Sequence, residues 1–396
     1  MATIHGKNYG KPTLDLNFAG NKSLIDTTTG TNYVTLSRAQ SGNEATYVGA
    51  DGLIKTASAD EPRFDHDPET LESLGLLVEE SRTNLLRYSE QFNNNTWNKS
   101  GVVVTAVNST LAPDGTTTAD TISNVLNTFA WFGQNLSLSN SLTYTLSFYV
   151  KPLTESKIIA IESGNGVNTL NLSTLTVTNF SGSAISQILP INNGWYRVSF
   201  SVSGITNCPI IYIASVYGTA PWNVNVSFAF WGAQLEEGSF PTSYIPTSGS
   251  TVTRAADVAS ITGTNFSNFY NNTEGTWFTD MALGYTQNAG NPFTFGGVFY
   301  TTVASGSIRT LGNNPTIMSG LSNSQTIPSK TAVALKSQDF KVYRDGTQTG
   351  SNNSLAYTPT GTQWLINSSL GSLGRIKRVT YWPKRLPDIE LQQLTK

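Results

Sequence analysis

The chain is poor in the residues that carry most protein chemistry. Its single cysteine, Cys208, excludes an intrachain disulfide, so packing alone must hold the fold. Only 13% of residues are charged, against roughly 25% in an average soluble protein. The net charge is -2 and no long Lys/Arg run is present, so the basic stripe that a phosphate backbone requires is missing and no nucleic-acid partner is expected. No run of 18 apolar residues occurs, which predicts no membrane insertion. The opening Met1-Ala2-Thr3-Ile4-His5 has neither the basic nor the apolar part of a signal peptide, and none is expected. His5 and His66 are the only histidines. With one cysteine no zinc site is expected of them, no loop matches a calcium-binding EF-hand, and no Gly-rich phosphate loop is present. The expectation is no cofactor and no assigned metal site, with calcium held by Asp and backbone carbonyls, as in lectin-type folds, left open.

Asn, Ser, Thr and Gly supply polarity where charge does not, and they favour turns and strand faces over helix interiors. Hydrophobic residues at 38% and aromatics at 11% suffice for sizeable cores. A length of 396 residues predicts two domains and an extra segment. Residues 1–85 hold short strand-like pieces around Leu14-Asp15-Leu16, residues 33–38 and residues 45–48, with a tight turn at Asp51-Gly52. Residues 69–80 read as a short helix weakened by Gly75. The region lacks a visible core of its own and reads as an extended docking segment that docks onto a partner or wraps the sandwiches, so that its deletion is expected to leave folded β domains.

Residues 86–250 read as strands: Leu142 to Val150 is a long β-branched and aromatic run, and Trp195 to Val202 alternates with period two after Asn192-Asn193-Gly194. Residues 247–258 read as a linker. Residues 259–396 form a second strand-rich region with a turn at Asp345-Gly346, ending in a helix that Asp388 could cap after Pro387 and that Ile389, Leu391 and Leu394 could give an apolar side. The expected fold is all-β: two tandem jelly-roll β-sandwiches behind an extended N-terminal docking segment.

Three resemblances follow from particular phrases. Gly275-Thr276-Trp277-Phe278, Lys341-Val342-Tyr343-Arg344-Asp345-Gly346 and the ending from Gly371 to Trp382 resemble the concanavalin-A-like, laminin-G-type sandwich. Trp195-Tyr196-Arg197-Val198 and the tail from Phe230 to Gly238 resemble jelly-roll carbohydrate-binding modules. Ser37-Arg38-Ala39, the phrase from Pro62 to Pro68, Gly75 to Glu80, Arg82-Thr83-Asn84-Leu85, Tyr88-Ser89-Glu90 and Thr253-Arg254-Ala255-Ala256-Asp257 together resemble phage virion proteins of the head-spike and tail-fibre type. That last resemblance implies a virion location, other capsid or tail proteins as partners, a homotrimer, and host-surface glycan as a ligand.

Candidate chemistry is sparse. Glu236 and Glu237 are adjacent, so on a strand they face opposite ways and cannot flank one glycosidic bond. Glu162, Asp280 and Asp339 are scattered, and His66 sits among Arg63, Asp65 and Asp67 as a structural hydrogen-bonding residue. No catalytic residue is assigned. Trp131, Tyr217 and Trp222 are the candidate glycan-binding rings, weighed against roles in the sandwich core or a subunit contact. A virion-borne polysaccharide-degrading enzyme and a bacterial surface adhesin are the rival readings. The enzyme would need an acidic pair in one groove, and the adhesin an export signal.

Overall fold

The computed structural model describes residues 3–4, 7–39, 42, 44–125, 130–155, 157–182, 184–213, 226–283, 293–295, 299–302, 307–309, 316–318, 328–352, 362–367 and 373–396. The protein is all-β, built as β-sandwiches. Its described helices are the short segments Phe18–Asn21, Gly263–Ser267 and Asp388–Leu394, with one 3-10 turn at Asn192–Gly194.

The middle sandwich faces two six-stranded sheets against each other. In spatial order one runs Trp97–Ser100, Trp131–Gln134, Ile210–Tyr212, Ile158–Ser163, Gly166–Asn171, Thr176–Gly182. The other runs Val102–Thr110, Ala119–Asn124, Val226–Glu237, Thr143–Pro152, Trp195–Ser203, Ile185–Ile191. Period-two patterning explains the split. Along Thr143–Pro152, Tyr144, Leu146, Phe148 and Val150 enter the inner core with Phe132 and Phe230, whose rings meet edge-on at 4.9 Å. Tyr149 points the other way and packs with Trp195, Trp231 and Tyr244 in a second core on the outer face of the same sheet. Between Ser147 and Tyr149 the register with Val226–Glu237 slips, and Gly232 sits in the slip at φ 63. A Cβ there would lie 2.9 Å from the Tyr149 ring, so glycine alone suits the bulge.

The second sandwich is made from both ends of the chain. Thr35–Ser37 pairs with Val258–Thr262, which pairs with Gln363–Asn367. In the facing sheet Leu373–Trp382 pairs with Glu274–Leu283 on one side. On its other side it takes Leu14–Leu16 and, further along, Ser73–Glu79. The core mixes Leu14, Leu16, Phe18, Leu76 and Val78 with Ala259, Ile261, Trp277, Trp364 and Tyr381.

Several expectations change here. Residues 14–79 are not set apart from the second sandwich but supply strands to both its sheets. The helix expected over residues 69–80 is the strand Ser73–Glu79. Gly75 there has φ 87, and a Cβ on it would meet the Ile376 carbonyl oxygen at 2.1 Å. The stretch 247–258 is not a free linker: Val252–Arg254 pairs with Arg82–Asn84 as a two-stranded stem. The middle sandwich is thus inserted into the other. At the last helix Asp388 does not cap; Pro387 is the N-cap, Asp388 pairs with Arg385, and Ile389 stays 59% exposed while Leu391 and Leu394 are buried. The turns at Asp51-Gly52 and Asp345-Gly346 do close hairpins, Ala45–Val48 with Ile54–Ala57 and Phe340–Arg344 with Thr347–Asn352.

Candidate functional site

The most concentrated chemistry lies where the stem joins the two sandwiches. Asp257 accepts from Arg38 Nη1 at 2.8 Å and from Arg63 Nη2 at 2.5 Å. Glu79 accepts from Arg63 Nη1 at 2.7 Å and is ion-paired with Arg254, whose Nη1 lies 3.0 Å away and donates to the Thr242 and Ser243 hydroxyls. All five side chains are at most 1% exposed. Glu236, also fully buried, accepts from the Thr242 hydroxyl at 2.5 Å and the Thr242 amide at 3.0 Å. Three buried arginines are therefore paired with two buried carboxylates, and Glu236 lies beside them, bonded to Thr242.

Most of its remaining donors find oxygens, the Arg63 and Arg254 Nε–H groups excepted. The Ser243 amide and hydroxyl donate to Glu79 at 2.7 and 2.6 Å, Arg63 Nη1 also donates to the Thr46 carbonyl at 2.8 Å, and Arg38 Nη2 donates to the Ser58 and Glu61 carbonyls at 2.7 and 2.9 Å. Burial by itself pushes the Glu79 carboxyl up. The Arg254 and Arg63 guanidiniums and the Ser243 bonds outweigh it and hold Glu79 well below the usual carboxylate range. Burial likewise works against the Arg63 charge, but Asp257 and Glu79 raise it above the ordinary arginine value. Charges this deep persist only when fully paired, and each partner here is in place.

Sequence reasoning quoted Arg38, Arg63, Glu79, Arg254 and Asp257 within the phrases of the virion-protein resemblance without joining them. The missed signal is economy: a chain with so few charges keeps several of them in those phrases.

The residues singled out beforehand fall elsewhere. Trp131 opens the strand Trp131–Gln134, half-buried between Ser100 and Tyr212 on the neighbouring strands. Tyr217, Trp222 and His5 lie outside the described residues. Glu236 and Glu237 do face opposite ways, the first buried and the second exposed. Glu162 accepts from the Tyr212 hydroxyl at 2.5 Å, and Asp339 pairs with Arg385 at 2.9 Å. His66 is buried and its Nδ1 donates to the Val48 carbonyl at 3.1 Å. Among the described residues no three His, Cys, Asp or Glu side chains gather as metal ligands would.

A pocket of about 600 Å³, counted out to open solvent, lies beside the junction between the two sandwiches, and no Asp or Glu lines it. Together these features define an all-β sandwich protein with a buried ionic junction and a partly apolar crevice. Neither a protein-family model nor a curated protein matches the chain. Among solved structures, the Trypanosoma rangeli sialidase in complex with sialic acid aligns with 70% of this chain at 11% identity and a TM-score of 0.27. The aligned part spans 60% of the sialidase. The N-terminal CBM22-1–CBM22-2 tandem domain of Paenibacillus barcinonensis Xyn10C aligns with 75% of this chain and 96% of its own, at 9% identity and a TM-score of 0.23. Likeness at that level extends to all-β construction and no further.

Proposed function

We propose that the protein is a structural component of a phage virion, a head fibre, spike or tail fibre, that serves surface attachment through weak glycan contacts and performs no catalysis. One observation carries the reading. The separate phrases that resemble head-spike and tail-fibre proteins supply, from residues 38, 63, 79, 254 and 257, one buried ion network, which is tied to the tail of the middle sandwich where Ser243 donates to Glu79. A rigid joint between two sandwiches suits a part that bears load at a particle surface.

The absence of catalysis is argued from the carboxylates. Glycoside hydrolysis needs two of them across a bound sugar. Glu79, Glu236 and Asp257 are buried and committed to partners, and the inter-sandwich pocket is lined by none. Weak binding would be multiplied by many copies on one particle. A homotrimer belongs to the same proposal. Its support is the edge strand Ile185–Ile191, which lies in a stretch, residues 163–196, without a charged residue or histidine and exposes Ile185 at 62% and Leu189 at 50%. Edge strands usually carry charge against self-pairing.

Antibodies raised against the purified protein and imaged by immunogold electron microscopy test the proposal. Labelling of intact phage particles at head or tail is expected. Labelling confined to cell debris, or release of reducing sugar from bacterial surface polysaccharide by the purified protein, would overturn it. Light scattering gives the oligomeric mass.

A further inference from the structure

The middle sandwich has two uncharged apolar edges, one on each side. At both, the chain steps directly from one sheet to the other. Trp97–Ser100 leads into Val102–Thr110 on the first side, and Thr176–Gly182 leads into Ile185–Ile191 on the second. Residues 100–113 and residues 163–196, which make these edges, hold no charged residue or histidine. Lys99, next to the first, turns its ammonium onto the Asn94 and Trp97 carbonyls at 3.1 and 2.8 Å. Val103, Val107 and Leu111 stand on the first side and Val177, Ile185 and Leu189 on the second, each more than a third exposed. Scattered apolar side chains on a surface need no explanation, but rows of them along strand edges without a guarding charge are where another chain pairs.

What covers these edges follows from there being two. A foreign partner would use one edge and leave the other bare. A two-fold pair would do the same, because it brings one patch of each copy against itself. Setting the second edge of one copy against the first edge of the next covers both with a single repeated contact. The strand directions allow it. Every pairing in the six-stranded sheet that runs from Val102–Thr110 to Ile185–Ile191 is antiparallel. With an even number of strands the two outer ones run oppositely, so a sheet continued into the next copy keeps its alternation.

The edges differ in regularity. Ile185–Ile191 pairs residue for residue with residues 195–201. Asn168 fixes it from the facing sheet, its Nδ2 donating to the Ala184 carbonyl at 3.1 Å and the Ser186 hydroxyl at 2.8 Å. Val102–Thr110 is regular up to Val104 and slips beyond it. Backbone pairing between copies is therefore short, and the apolar side chains carry the rest of the contact.

We infer that the protein assembles with itself through these two surfaces, the Ile185–Ile191 edge of one copy against the Val102–Thr110 edge of the next. The inference rests on the homotrimer in the reading above and names the surfaces that such a ring would join.

The test is the mass of the full-length protein by sedimentation velocity at micromolar concentration. The wild type is expected as an oligomer. Leu189→Lys places a charge on the second edge and Val107→Lys on the first. Both positions are exposed, so unchanged melting is expected of each variant. Should either melt early, Ile185→Lys or Val103→Lys takes its place. Each variant alone should run as a monomer, with association weakened at least about tenfold, because the contact would bury an unpaired ammonium. Mixed in equal amounts, the two should run at the mass of two chains, since each keeps the edge that the other has lost. A monomeric wild type, a variant that keeps the wild-type mass, or a mixture that stays monomeric would each overturn the inference. So would assembly of Val107→Lys alone, the mark of the second edge pairing with itself. The two readings fail separately. A wild-type mass other than three chains, with the mixture behaving as expected, sinks the homotrimer and leaves the contact. A monomeric protein that labels virions in immunogold microscopy sinks the contact and leaves the virion reading.

Discussion

Glu79 takes bonds from the Arg63 guanidinium, a serine amide and a serine hydroxyl, is ion-paired with Arg254, and nothing in the junction can replace it. Breaking a buried pair on one side strands the opposite charge, at about 3–5 kcal/mol. Glu79→Gln should therefore lower the stability measured by urea denaturation by that amount. Its pH dependence has a definite sign. The folded carboxyl titrates below the unfolded value of about 4.3. Its contribution is thus fully present above that pH and is lost as the pH falls below it toward the folded value. The wild-type protein should lose stability over that acid window, and Glu79→Gln should flatten the loss. Cys208 is a second case. Burial pushes its thiol up to about 12, so it should ignore a thiol reagent at pH 8 and react only in denaturant. For Cys208 the sequence excluded a disulfide, and for Glu79 it indicated no partner. The ion pairs join residues far apart in the chain, Arg38 with Asp257 and Arg63 with Asp257, and one sequence offers no means of seeing such a meeting.

Strands rich in β-branched and aromatic residues and free of internal glycine were readable, as were Asp-Gly turns, because both signals are local. Thr143–Pro152 and Trp195–Ser203 are of this kind, as are the hairpins at Asp51-Gly52 and Asp345-Gly346. Ser73–Glu79 was not, for two physical reasons. It holds one β-branched residue, Val78, and no aromatic, and Gly75 is there for a close backbone approach that the sequence does not display. The stem strand Val252–Arg254 was misread because polar residues suggest solvent, whereas Arg254 is buried among carboxylates. Gly75→Ala tests the strand account. Its added methyl would collide with the Ile376 carbonyl at a backbone angle of φ 87. A loss of at least about 2–3 kcal/mol is expected in urea denaturation, with faster amide exchange along Ser73–Glu79 and its partner Leu373–Trp382.

At the scale of the whole molecule the two sandwiches are unequal in independence. Both cores of the middle one come from residues 86–244. The main core of the other draws on residues 14–78 and 259–381. A fragment of residues 86–250 should therefore be soluble and melt cooperatively. Deletion of residues 1–85 should leave that sandwich folded but destroy its neighbour, seen as a single remaining transition in calorimetry and rapid proteolysis beyond residue 259. The sequence suggested the opposite for this truncation, since short strands without a local core resemble an appendage.

The insertion also sets a timetable for synthesis. Ser73–Glu79 emerges from the ribosome about 290 residues before its partner Leu373–Trp382. At bacterial elongation rates that interval is roughly 15–60 s. Through it, Leu14, Leu16, Leu76 and Val78 have no sheet to cover them, while the middle sandwich has already closed. The nascent chain is therefore a folded bead with an apolar N-terminal stretch that stays uncovered until the last strand arrives.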